Sequence, residues 1–163
     1  MVLVTPTFFE GLGRHGDFAW MRTQPDHAST LFIFNDNEEQ FNAYLNGKAS
    51  GFTAGAGNAI ARPWRLLSPP QSAGIPTGKN GKGYESLDTQ TKLKIDQSLQ
   101  VISDLIATDN YSQLVFSADS TLTTLGRATF AVSTEVCEYI FKNLIHFGSI
   151  QTKSKREKGT HHE

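Results

Sequence analysis

Cysteine is almost absent from this chain. Cys137 is the only one in 163 residues, so neither an internal disulfide nor a cysteine-based zinc site can form, and a reducing compartment fits best. Long apolar runs are missing as well. None approaches the roughly 18 residues of a membrane span, so no membrane partner is expected. The opening stretch, residues 1–17, has no basic segment leading into a long apolar one. No signal peptide is therefore expected, and the cytoplasm is the expected location. Nor is there an excess of charge. Lys+Arg 15 against Asp+Glu 16 leaves a net charge of −1, which argues against a nucleic-acid-coating protein.

The common catalytic motifs are lacking too. There is no GxxxxGK[ST] loop, and Gly78-Lys79-Asn80-Gly81-Lys82-Gly83 has neither its spacing nor its hydroxyl. No GxSxG elbow and no HExxH pair occurs. His15 near Asp17, and Asp26 beside His27, lack metal-ligand spacing and read as turn residues, so no metal and no cofactor is expected.

What is present suits one ordinary domain over residues 1–150. The chain is 38% hydrophobic and 10% aromatic, enough for a real core. Ser29–Phe34 is a continuous β-branched and aromatic run, and Tyr111–Phe116 reads as another strand. These predict central strands over 29–35 and 112–118, covered on both faces. Asp36 reads as an N-cap with Glu39 completing a capping box, for a helix carrying Phe41, Tyr44 and Leu45 and stopping at Asn46-Gly47. Ile95, Leu99, Ile102 and Ile106 recur at helical spacing behind Asp88, predicting a helix over 88–107. Ser133 caps a last helix over 133–147, whose inward stripe includes Cys137 as a core residue. Weaker patterns suggest strands over 17–23 and 128–132, and a short strand end at Ala73–Pro76. Residues 151–163 are charged, without apolar periodicity, and read as a disordered tail. Strands alternating with helices imply a three-layer α/β/α domain around a mixed sheet.

The charge is unevenly distributed. From Gln40 to Tyr84 there is no acidic residue, while Lys48, Arg62, Arg65, Lys79 and Lys82 are all basic. Eight of the 14 glycines lie in the same span. Bare backbone N–H groups without nearby carboxylates suit an anionic ligand. Within the span, Gly55-Ala56-Gly57-Asn58 leads into an apolar run that holds Arg62 and, a turn later, Arg65. Asn35-Asp36-Asn37 forms a polar cluster at a strand's carboxyl end, where α/β sheets bind ligands.

Gly55–Ala61 resembles the first glycine-rich loop of macrodomains, and Gly74–Gly78 followed by Gly81-Lys82-Gly83-Tyr84 is similar to their second. The resemblance covers about residues 30–147. The paired-asparagine signature of the common macrodomains is absent, and Asp36 stands in for their adenine-binding aspartate. The chain is also similar, in its N-D-N-E-E-Q and G-N-A-I-x-R-P patterns, to proteins of phage and bacterial genomes, a likeness that brings no function. The macrodomain resemblance implies a small-molecule ligand, an ADP-ribose-type or other phosphorylated nucleotide. Asn35, Asn37, Gly55, Gly57, Asn58, Gly78, Gly81 and Gly83 would line its site. Arg62 or Lys82 would neutralise phosphate, and Tyr84 would stack on a sugar or base. Any turnover would be hydrolysis of an ADP-ribosyl bond, with Asp36 or Asp119 orienting water. The rival expectation is a non-enzymatic accessory protein of a phage or mobile element, its basic excursion meeting a protein partner or a second copy in a homo-oligomer.

Overall fold

A computed structural model describes residues 2–48, 54–127 and 130–150. In chain order it begins with β1 (Val2–Thr7), α1 (Phe18–Met21), β2 (Thr30–Asp36), α2 (Glu38–Leu45), a 3₁₀ segment (Gly57–Leu66) and β3 (Ser72–Pro76). It continues with β4 (Gly78–Lys79), β5 (Lys82–Gly83), α3 (Thr89–Thr108), β6 (Gln113–Ser117), α4 (Thr134–Ile145) and β7 (Gly148–Ile150). Residues 151–163, expected to form a tail, lie outside the described residues.

Five strands form one sheet in the order β3-β2-β6-β1-β7, and every pairing in it is parallel. β4 and β5 form a separate antiparallel hairpin turning through Asn80-Gly81. Antiparallel pairing, expected within a mixed sheet, is found instead in that hairpin and in an isolated bridge between Ala118 and Leu125.

Alternation along the central strands explains the three layers. Leu31 and Ile33 of β2, with Leu114 and Phe116 of β6, face Ile95, Leu99 and Ile102 of α3 and Val136, Ile140 and Leu144 of α4. Phe32, Phe34 and Val115 face the opposite way, onto Phe18 and Met21 of α1 and Ala61 and Trp64 of the 3₁₀ segment. A sheet buried on both faces needs apolar residues on both, and Leu31–Phe34 and Leu114–Phe116 supply them.

The weaker strand patterns resolve differently. Residues 17–23 hold the helical turn α1, not a strand. Phe18 and Met21, three apart, are both buried on one side, whereas a strand would send them to opposite faces. Of the strand expected over 128–132, residues 130–132 are irregular and 128–129 lie outside the described residues. Gly83 is flush with that irregular stretch: a Cβ there would lie 2.7 Å from the Ala131 carbonyl.

Winding locates the cleft. From β1 the chain moves across to β2 and β3 on one face, then returns from β3 to β6 and on to β7 with helices on the other. Right-handed crossovers demand this change of face when the direction reverses. At the reversal the exits of neighbouring β2 and β6 diverge, and a ligand crevice opens beyond their carboxyl ends.

Candidate functional site

A cleft of about 690 Å³ occupies that position. Phe8 and Phe9 follow β1, Asn35 ends the pocket side of β2, and Ser117, Ala118 and Asp119 continue β6. Residues 56–59 supply a further wall and residues 124–127 the last. Most of the lining is apolar, and among the described residues Asp119 and Arg127 are the only charged ones in it.

Two asparagines build this cleft. Asn58 accepts a hydrogen bond from Phe18 N–H (2.9 Å), capping α1, and its Nδ2 donates to Gly16 O and Ser117 Oγ, each at 2.8 Å. One amide thereby ties the start of the 3₁₀ segment to α1, the loop before it and the end of β6. Asn35 Nδ2 donates to Gly126 O (2.8 Å), while Gly126 N–H donates to Ser117 O (2.9 Å). Together these bonds pin the 118–126 loop back against the strand ends. Gly57 sits at φ +56°, and a Cβ there would meet nothing within 4 Å, so its open side faces the cleft. The N–H groups of Gly57 and Asn58 have no acceptor among the described residues.

Asp119 organises its own loop. Its Oδ1 accepts from Thr123 N–H (3.0 Å) and Thr124 N–H (3.4 Å), and the Thr121 hydroxyl, 3.0 Å from both carboxylate oxygens, shares its one hydrogen between them; Oδ2 has no other donor among the described residues. Burial pushes the carboxyl up, but these donors outweigh it and hold the group below the ordinary carboxylate range. Asp119 is an anion at neutral pH. Arg127 is exposed, and its Nη2 donates to Thr134 Oγ1 (3.0 Å) at the start of α4.

Of the residues predicted from sequence, Asn35, Gly57, Asn58 and Asp119 come together here. Others do not. Asp36, expected to orient water, is 1% exposed and is bound on Oδ1 by Arg62 Nε (3.0 Å) and on Oδ2 by Arg65 Nη1 (2.7 Å). Arg62 and Arg65, expected as phosphate clamps, are therefore committed to a buried carboxylate. In a 3₁₀ helix, residues three apart eclipse, so both arginines project from one face onto the same partner. Gly55 lies beneath this arrangement, where a Cβ would come 2.7 Å from Ala59 Cβ and 3.3 Å from Arg62 Nη1. Asn37, expected in the site, is the N-cap of α2 in place of Asp36, its side chain accepting Gln40 N–H at 2.8 Å.

The second glycine loop stands apart. Lys82, Gly83 and Tyr84 line a separate cleft of about 280 Å³, and no described residue of 78–84 lines the larger one. A Cβ at Gly78 would lie 2.8 Å from the Phe130 ring, and Gly81 serves the hairpin turn at φ +78°. Tyr84 is buried, its hydroxyl donating to Glu38 Oε1 (2.7 Å); burial, then that bond, pushes the phenol far up. It is a structural tie to α2 with no open ring face to offer a ligand.

Sequence reasoning missed Phe8, Phe9 and Arg127. Val2-Leu3-Val4-Thr5 carried the signal for β1, and with it the position of both phenylalanines at a strand's carboxyl end. Arg127 lies far from any motif and is placed only by the loop's return.

No family model matches the chain, and no curated protein or solved structure is significantly similar to it. Among the described residues, no helix is long and apolar enough to cross a membrane, and no group of three or more His, Cys, Asp or Glu could hold a metal ion.

Proposed function

We propose that this chain binds a phosphorylated nucleoside of the ADP-ribose type in the cleft beyond β1, β2 and β6, as a macrodomain-like module. The observation that carries the reading is the composition of one cavity. Aromatic Phe8 and Phe9, the N–H groups of Gly57 and Asn58, which have no acceptor among the described residues, and the cationic Arg127 share its walls. The volume falls within the range of roughly 300–1,000 Å³ that small-molecule sites occupy. A base would lie against the phenylalanines, and phosphate oxygens would take the free N–H groups and the guanidinium. The hydrolytic role suggested for Asp36 or Asp119 falls to Asp119, the carboxylate in the lining.

The test is a thermal-shift and calorimetric panel of AMP, ADP, ADP-ribose, NAD and RNA, run on the parent chain and on Arg127→Ala. A true ligand at 100 times its Kd adds about 2.7 kcal/mol of stability. Arg127→Ala should weaken its binding by about 1.5–3 kcal/mol. A panel in which no nucleotide binds would overturn the reading and leave the accessory-protein expectation in its place.

A further inference from the structure

We infer that Asp119 and Thr124 form a ribose subsite, so that the cleft selects a ribonucleotide with a free vicinal diol over its deoxy counterpart. The inference rests on the nucleotide reading above and adds the sugar and its orientation to it.

Two observations carry it. Asp119 spends its oxygens unequally: Oδ1 takes two backbone N–H donors and a share of the Thr121 hydroxyl, whereas Oδ2 takes only the other share among the described residues and retains acceptor capacity in the cleft wall. Thr124, held beside that carboxylate by its own N–H on Oδ1, has a buried Oγ1 with no hydrogen-bond partner among the described residues. A buried hydroxyl left unpaired costs free energy until a ligand satisfies it. An anionic acceptor next to an unsatisfied hydroxyl matches two adjacent sugar hydroxyls. One donates to Asp119 Oδ2 and the other pairs with Thr124 Oγ1.

Charge fixes the direction of the ligand. A phosphate is repelled by the Asp119 carboxylate and attracted by Arg127, the one cation in the lining among the described residues. A cationic group on Asp119 would instead have to share the cavity with Arg127. Neutral hydroxyls avoid both penalties. The sugar therefore sits at the Asp119–Thr124 wall, with the phosphates directed toward Arg127.

The experiment compares ADP with 2′-deoxy-ADP and 3′-deoxy-ADP by calorimetry on the parent chain, then on Asp119→Asn and Thr124→Val. Asparagine can keep the Oδ1 acceptor that organises the loop while turning the Oδ2 position into a donor. On the parent chain ADP should bind about tenfold or more tightly than the deoxy form that lacks the hydroxyl meeting Asp119, the cost of leaving one charge-assisted hydrogen bond unmade, and about threefold or more tightly than the form that lacks the hydroxyl meeting Thr124. Each variant should lose its preference against one deoxy form, Asp119→Asn against the form lacking the hydroxyl that meets Asp119 and Thr124→Val against the other, while the remaining preference persists; ratios unchanged from the parent in both variants would overturn the assignment. A loss of folding alone would not alter the ratio, and the parent-chain comparison needs no variant. Equal binding of ADP and both deoxy forms by the parent overturns the ribose subsite while leaving nucleotide binding intact. Failure of all three to bind overturns the ribose subsite, and failure of every nucleotide in the panel above, ADP-ribose included, overturns nucleotide binding as well.

Discussion

Arg65 Nη1 lies 2.7 Å from Asp36 Oδ2, with the arginine side chain 2% exposed and the aspartate 0%. Arg62 closes on the other carboxylate oxygen, and both guanidinium groups lie near the Phe34 ring, at 5.8 and 5.6 Å from its centroid. The close packing extends to β3. Gly74 sits opposite Phe34, and a Cβ there would be 2.7 Å from Asp36 Oδ2. A carboxylate so enclosed is a structural counter-ion joining β2 to the 3₁₀ segment.

Asp36→Ala leaves two arginines buried around an empty place. Breaking one side of a buried ion network costs about 3–5 kcal/mol. For a chain of this size that corresponds to a fall in Tm of about 6–20 °C. Denaturant unfolding measures it, and a loss below about 1 kcal/mol would show that the network carries little of the fold.

Asn58→Ala removes the hydrogen bonds to Phe18 N–H, Gly16 O and Ser117 Oγ together. Each partner left unsatisfied out of water costs about 1–3 kcal/mol, so stability falls by at least that amount. Asn58→Asp keeps the acceptor for Phe18 but repels Gly16 O, and should not restore the parent. Full stability in either variant, by urea titration, would contradict the tie.

Tyr84→Phe tests the separation of the two glycine loops. It deletes the hydroxyl that donates to Glu38 and should cost about 1.5–3 kcal/mol in stability, discounted toward the lower end because Glu38 is partly in water. Nucleotide affinity, measured by calorimetry at a temperature where the variant is folded, should match the parent. A selective loss of affinity would return Tyr84 to the site.

His27 makes stability fall in mild acid. Its ring contacts Thr30 Oγ1 (3.0 Å) and Gln113 Nε2 (3.2 Å) at the amino ends of β2 and β6. Burial lowers its pKa below 6.5, and the Asp26 charge only partly opposes that. The unfolded chain then binds the proton more tightly than the folded one, so stability declines as pH falls below about 6.5. The lowered carboxyl of Asp119 adds its own loss at lower pH, within the carboxylate range. Between about pH 6.5 and 5, unfolding free energy should drop more steeply in the parent than in His27→Gln. Equal slopes would remove His27 from the account.

The fold was legible where pattern and physics coincide. Leu31–Phe34 and Leu114–Phe116 are apolar on both alternating faces because both faces are covered, and Ile95, Leu99 and Ile102 repeat at the helical period because α3 has one buried side. β1 was obscured by Pro6 and the Phe8-Phe9 pair. β7 has only three residues, and α1 is a single turn without a measurable period. The site was half legible. Asn35 and Asp119 follow from strand ends, and Gly57-Asn58 from a glycine-led helical start. The acid-free span from Gln40 to Tyr84 was read as a surface awaiting an anion. Its arginines instead meet Asp36, a carboxylate just upstream in sequence and adjacent in space. Composition within a window cannot register a partner on the neighbouring strand.

The most direct test of the central claim is a ¹⁵N–¹H chemical-shift titration of the assigned parent chain with ADP and with ADP-ribose. Saturable shifts at Asn35, Gly57, Asn58, Ser117, Asp119, Gly126 and Arg127, with Gly78, Gly81 and Gly83 unmoved, are the predicted result. Shifts centred on residues 78–84, or none anywhere with either nucleotide, would contradict it.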